Sequence, residues 1–190
     1  MSQIINLLPP PPNWTGYEIY YNNNKYILNV DDVNTNNSGE SIGYKQPNLT
    51  YGYVGYKLLN KTNIWMTNNT WFPHYFEIVF PHPVQVITMK LAASSDGMTP
   101  SMLAEFEVLI SNNGISYETI DEYTHPNNLN TITYNLSNPK FGTYFRLQIN
   151  NSWTVNHRGH KWCGLSIFEL YGIENIKTIY ENNNNIYGIV

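Results

Sequence analysis

The chain is nearly without cysteine. Cys163 is the only one in 190 residues, which excludes an internal disulfide framework and any multi-cysteine zinc site. Beside Trp162, at the start of an apolar strand, it reads as a packed thiol. Charge is also scarce: Asp, Glu, Lys and Arg make up 13% of the residues, where a globular protein has about 25%. With a net charge of −4 there is no basic field to hold nucleic acid or an anionic membrane surface. No run approaches the ~18 consecutive apolar residues of a bilayer-crossing helix, so no membrane insertion is expected. The opening MSQIINLLPPPPNW lacks a basic stretch followed by a long apolar one, so no secretory signal is expected. Sequence signatures of catalysis are missing too. There is no G-x-S-x-G elbow, no phosphate-cradling Gly loop and no H-E-x-x-H. The carboxylates do not pair as a glycosidase requires: Glu105 and Glu107 fall on the solvent face of a strand, and Asp121 and Glu122 close a hairpin. His157 and His160 form an H-x-x-H without an evident third ligand, so no metal site is expected.

What the chain does have is aromatic and apolar. Hydrophobic residues reach 42% and aromatic ones 15%, led by 16 Tyr. Asn takes the place of charge on the surface. No helical periodicity of useful length occurs, whereas period-two alternation recurs. HYFEIVF alternates through Phe76, Ile78 and Phe80, with Glu77 and Val79 on the other face. AEFEVLIS does so through Phe106, Val108 and Ile110. TITYNL and TYFRLQI follow the same period. Asn22-Asn23-Asn24 and SNNG at 111–114 read as hairpin turns, since Asn and Gly tolerate positive φ. FPHPV reads as a tight connector, because its two prolines interrupt pairing. Short strands separated by Gly, Pro and Asn predict an all-β antiparallel sandwich or jelly roll. An extended N-terminal arm, residues 1–16, precedes it, set off by the polyproline-type spacer Pro9–Pro12. The sandwich spans 17–173 and a tail 174–190. Ile4, Ile5, Leu7 and Leu8 on the arm either fold back on their own domain or dock on a partner chain.

The order of these segments resembles the F5/8 type C (discoidin-like) domain of the galactose-binding-like jelly rolls, most clearly over residues 50–173. Trp65 stands where that family has an early core Trp. FEVLISNNGISYETI is similar to its F-x-V-x-x-S-x-D-G-x-x-W hairpin, with Asn113 for the Asp and Tyr117 for the Trp. TYFRLQI is similar to its R-Y-[VI]-R-[LI] strand, whose Arg, here Arg146, is usually structural there. GLSIFELYGI looks like the closing strand. The resemblance implies a non-catalytic binding domain whose loops, at one end of the sandwich, hold glycans, lipid headgroups or proteins. An acidic, Lys/Arg-poor chain favours glycan or protein. The family's early DG-x-x-x-T turn, often tied to a structural calcium, reads here as LLNKTN at 58–63. A carboxylate near the start of its last strand is replaced at Ile167, with Glu169 two residues on. No cofactor is therefore expected, calcium being the one that the resemblance leaves open.

A sugar site needs a ring to cover an apolar C–H face and planar groups to catch hydroxyls. The stretch 153–162 offers Trp153 and Trp162 for stacking, with Asn156, His157, Arg158 and His160 for hydrogen bonds. Alternatively, Trp162 packs beneath the loop and Arg158 pairs with a carboxylate. The 66–74 loop adds Trp71 and His74, with Phe72 read as a plug of the barrel mouth. The 94–102 loop adds Asp96. The expected function is a non-catalytic module for cell-surface glycans or proteins. The setting expected for it is a larger, oligomeric assembly such as a virus or phage particle, with the N-terminal arm attaching it to other virion proteins. The alternative is a structural decoration or connector protein of a virion, making protein contacts only.

Overall fold

In chain order the protein forms β1 (Ile5–Asn6), β2 (Glu18–Tyr21), β3 (Asn24–Val30), α1 (Gly55–Leu59), β4 (Trp65–Met66), β5 (His74–Ser95) and β6 (Pro100–Ser101). Then come β7 (Glu105–Ser111), β8 (Glu118–Thr124), β9 (Ile132–Asn135), β10 (Phe141–Ile149) and β11 (Gly164–Glu174). This computed structural model describes residues 3–30, 55–67, 72–95, 100–101, 103–153 and 163–175. Every strand pairing among them is antiparallel.

The long strand β5 organises both layers. Its first part is flanked by β3 and β10, with Ile78 opposite both Leu28 and Phe145. Its second part is flanked by β11 and β9, with Leu91 opposite Phe168 and Ile132. Between them the ladder with β10 jumps from Val79 to Val84. Pro81 and Pro83 lie in that jump, where a missing N–H costs no ladder bond. The expected connector is thus a corner inside one continuous extended run. It swings β5 from one layer to the other, and the inward side chains meet across the gap. Phe76 packs on Phe168 with ring centroids 4.7 Å apart, and on Trp65 at 5.3 Å. Phe76, Ile78, Met89, Leu91, Leu147 and Leu165 have no exposed surface. Burying each such side chain contributes roughly 1.5–3 kcal/mol.

Local chemistry sets the turns. Asn22 and Asn23 both take positive φ, 49° and 62°, the geometry a two-residue hairpin requires; Asn24 already pairs within β3. Between β7 and β8, Ser111 Oγ accepts the N–H groups of Asn113 and Gly114, and Asn113 Oδ1 accepts those of Ile115 and Ser116. Gly114 has φ +70°, and a Cβ there would strike the Tyr144 ring. Asp121 and Glu122 do not close a hairpin, as the sequence led us to expect. They pair within β8 opposite Val108 and Glu107, because the turn lies wholly in 112–117.

At the N-terminal segment the first of the two alternatives holds for Leu7 and Leu8. Leu7 and Leu8 are buried in the common core, and Leu7 N–H donates to Leu170 O. The prolines do not hold them away: Asn13 N–H bonds back to Pro10 O, making a turn. That turn returns a fully buried Trp14, whose Nε1 donates to Pro9 O. Folding back is therefore what these leucines do, since apolar area leaves water when they pack. Ile4 and Ile5 stay exposed.

On the outer side of the β3–β5–β10 layer a carboxylate is buried. Glu77, 2% exposed, accepts hydrogen bonds from Asn29 Nδ2 (2.8 Å), Tyr117 OH (2.6 Å) and Arg146 Nε (2.8 Å). Arg146 also donates to Tyr117 OH and lies over the rings of Tyr117 and Tyr75, 3.9 and 4.8 Å from their centroids. Burial, then the hydrogen bond to Glu77, pushes the Tyr117 hydroxyl pKa up. Trp65 and Arg146 thus hold the structural places that the resemblance implied. Breaking a buried ion pair on one side typically costs about 3–5 kcal/mol. Arg146 is partly exposed, so Glu77→Gln should lower unfolding free energy by about 3 kcal/mol, the low end of that range. Urea denaturation measures this, and an unchanged midpoint would contradict it.

Candidate functional site at one end of the sandwich

Because β5 reverses at its corner, both of its ends lie at the same end of the sandwich. His74 pairs with Ile149, the last residue of β10, while Ala93 pairs with Leu165, near the start of β11. Glu105 and Thr124, the outer ends of β7 and β8, close the same edge. The described residues that border 68–71, 96–99 and 154–162 lie at it, as does 125–131. Their roots are tied together. Thr67 N–H donates to Cys163 O, Ala104 N–H to Asn151 O and Asn150 N–H to Glu105 O, and Leu103 bridges to Ser152.

Trp153 stands at this end with 46% of its surface exposed. Its Nε1 donates to His125 O at 2.7 Å, which fixes the indole by its edge and leaves ring surface open to a ligand. His125 itself is fully buried, with Nδ1 2.6 Å from Tyr134 OH. Tyr134 packs against Phe106 and Tyr123. Beneath the same edge, a cleft of about 380 Å³ is lined by Glu105, Phe106, Glu107, Glu122, Tyr123, Thr124 and Asn150. Its carboxylates and the Asn150 amide, which donates to Glu107 Oε1 at 2.7 Å, can exchange hydrogen bonds with hydroxyl groups.

Of the residues singled out from sequence, Trp153 is at the surface. His74 is not a surface donor: it is 3% exposed, under the Phe72 ring at 4.8 Å. Its strand position turns it inward opposite Ile149, so it supports the loop base. Phe72 packs against the core, in keeping with its reading as a plug. Asn156, His157, Arg158, His160, Trp162, Trp71 and Asp96 lie outside the described residues. Sequence reasoning missed His125, Asn150 and the cleft. The available signal was His125 itself, an imidazole at a strand end just before Pro126.

A two-layer antiparallel β body of this topology is a sandwich of the jelly-roll class. The F5/8 type C domain model matches residues 41–167, well over half of the chain, and the chain belongs to that family. Similar solved structures include CpGH89CBM32-5 from Clostridium perfringens, in complex with GalNAc-β-1,3-galactose. It has a TM-score of 0.56 and 11% identity, over 76% of this chain and 94% of that one. A second is CBM32-3 from a family 31 glycoside hydrolase of Clostridium perfringens, with TM-score 0.52 and 11% identity over 62% and 81%. A third is chitosan-binding module 1 from a chitosanase/glucanase of Paenibacillus sp. IK-5, with TM-score 0.51 and 16% identity over 64% and 86%. No curated protein matches the chain. At these identities the likeness shows the fold alone. No helix among the described residues is long and apolar enough to cross a membrane.

The 58–63 turn does not fit a calcium ion. Lys61 places its ammonium 3.0 Å from Glu169 Oε1, and Tyr171 OH donates to the other oxygen at 2.7 Å. The Tyr171 hydrogen bond, ahead of the lysines Lys61 and Lys90, holds the Glu169 pKa down. Lys57 O already accepts from Thr62 and Asn63 N–H. Calcium needs six to eight oxygens, and Glu169, the carboxylate described beside this turn, is already held by Lys61 and Tyr171. Among the described residues, no group of three or more His, Cys, Asp or Glu could hold a metal. Thermal midpoints in excess EDTA and in millimolar calcium should agree. A calcium-dependent rise of several degrees would contradict this account.

Proposed function

We propose that this domain is a non-catalytic binding module for cell-surface glycans, with Trp153 as the platform for the sugar ring. The observation that carries the reading is the half-exposed indole, locked by its edge to the His125 carbonyl at the end of the sandwich where both ends of β5 lie. Sugars present flat C–H faces to aromatic rings, and stacking leaves their hydroxyls for side-chain acceptors. Support also comes from structural relatives whose names state carbohydrate binding, one solved with GalNAc-β-1,3-galactose. Asn156, His157, Arg158, His160 and Trp162, with Trp71 and Asp96, belong to the same proposal as hydrogen-bonding and stacking partners. No metal or other cofactor has a role in it.

A virus or phage particle is the carrier we propose, with attachment through the N-terminal segment. Ile4 and Ile5 support this, exposed at the start of the edge strand β1. The same residues favour a second reading, a connector that makes protein contacts only.

On an array of galactose- and GalNAc-terminated glycans, the wild-type chain should be retained. Trp153→Ala and His157→Ala should each weaken retention at least about tenfold, a loss of ~1.4 kcal/mol, with unchanged unfolding midpoints. Retention insensitive to both substitutions would overturn the assignment of the site. A wild-type chain that binds no glycan, together with an assembly broken by Ile5→Asp, would favour the connector.

A further inference from the structure

His125 joins two groups that otherwise do not meet. Its carbonyl holds the Trp153 indole at 2.7 Å, and its imidazole lies wholly buried. One ring nitrogen, Nδ1, meets Tyr134 OH at 2.6 Å, whereas Nε2 has no hydrogen-bond partner. The surroundings are aromatic: the Tyr134 ring is 6.0 Å away by centroid, and Phe106 and Tyr123 pack against Tyr134. The main chain around it is held as well, since His125 N–H donates to Ala104 O.

We propose that His125 is a positioning residue for Trp153, and that adding a proton to its imidazole releases the indole from its fixed orientation. A neutral imidazole carries one N–H and one lone pair, and Tyr134 OH serves whichever of these Nδ1 presents. An imidazolium carries two N–H groups, and the one on Nε2 would be a buried donor without an acceptor, on a charged ring in an apolar pocket. The ring must then reach water, and its movement carries away the carbonyl that holds Trp153. Burial accordingly draws the His125 pKa below its ordinary 6.5. Among the described residues, the titratable groups beside it are Tyr134 on β9, whose hydroxyl meets Nδ1, and Tyr123 on β8, which packs on Tyr134; both are pushed up to about 12, chiefly by burial, and so uncharged at any pH where His125 titrates. Glu105, on β7 opposite Thr124, is exposed. The sign follows. A histidine with a depressed folded pKa is fully stabilising above the unfolded value near 6.5, and that stabilisation is lost as pH falls through the folded value. Trp153 is therefore held at neutral pH and freed in mild acid.

The importance of this coupling for binding rests on Trp153 being the glycan platform, but the coupling itself belongs to the free protein and is tested without ligand. The intact chain, labelled with ¹⁵N and ¹³C, gives indole N–H signals from its five tryptophans, and Trp153→Phe assigns the relevant one. Between pH 7.5 and 4.5 the Trp153 signal should shift with a single midpoint below 6.5, and its hydrogen exchange should rise at least about tenfold above the ordinary pH trend. The His125 ring ¹³Cε1 signal should titrate with the same midpoint. In His125→Gln the Trp153 signal should be independent of pH. A Trp153 signal that stays put in folded wild type, or titrates alike in His125→Gln, would overturn the proposal. Should that variant not fold, wild type alone decides: coincident His125 and Trp153 midpoints support the coupling, and different ones refute it. A coupled titration in a chain that retains no glycan would count against the glycan reading and leave the coupling standing.

Discussion

The rest of the structure leans on one buried carboxylate. Glu77 sits on β5 with almost no exposure, yet its two oxygens serve Asn29 of β3, Arg146 of β10 and Tyr117 at the mouth of the β7–β8 hairpin. A charge in that position is tolerated only when hydrogen-bonded and paired. Satisfying it fixes the register of three neighbouring strands at once, because a one-residue slip would turn Glu77 into the apolar core. Arg146 then stacks between two tyrosine rings, so the network is at once electrostatic and packed.

That fixed register is what gives the far end its shape. With β5 locked to β3 and β10 in its first part and to β11 and β9 in its second, both of its ends lie at the same end of the sandwich. The division of labour follows from chemistry. The strands bury Phe, Ile and Leu against one another. The turns at 22–23 and 111–117 use Asn, Ser and Gly to satisfy their own backbone. The loop end displays a half-exposed indole anchored by its polar edge. Lys61 contributes in the same spirit. Its ammonium on Glu169 joins the 58–63 turn to β11 with a charge carried by the chain itself.

Much of this framework was legible in the sequence, because period-two alternation has one physical meaning in a half-buried strand. Phe76, Ile78 and Phe80, like Phe106, Val108 and Ile110, face inward as the pattern required. The hairpin at 22–23 and the interruption at Pro81 and Pro83 were legible from turn chemistry. The N-terminal segment was not. Four prolines read as a rigid spacer, while the burial of Leu7, Leu8 and Trp14 depends on a distant β11 and on Asn60, which no local signal reports. Nor was Glu77 legible as a buried group, since alternation places it on an outer face and only the tertiary partners cover it. Trp153, the platform we propose, was legible as an aromatic in a polar loop. The hidden support beneath it was not: His125 lies 28 residues away in sequence, and an imidazole beside a proline carries no mark of burial. His74 misled for the mirror reason, as its loop-like neighbours say nothing of the strand position that turns it inward.

The most direct test of a stiff frame presenting a stacking platform is a pair of crystal structures of the intact chain, free and soaked with GalNAc-β-1,3-galactose. The account predicts a sugar ring lying flat on Trp153, with strand backbones superposing within about 1 Å. A sugar seated elsewhere with Trp153 bare, or strands that rearrange to admit it, would contradict the account.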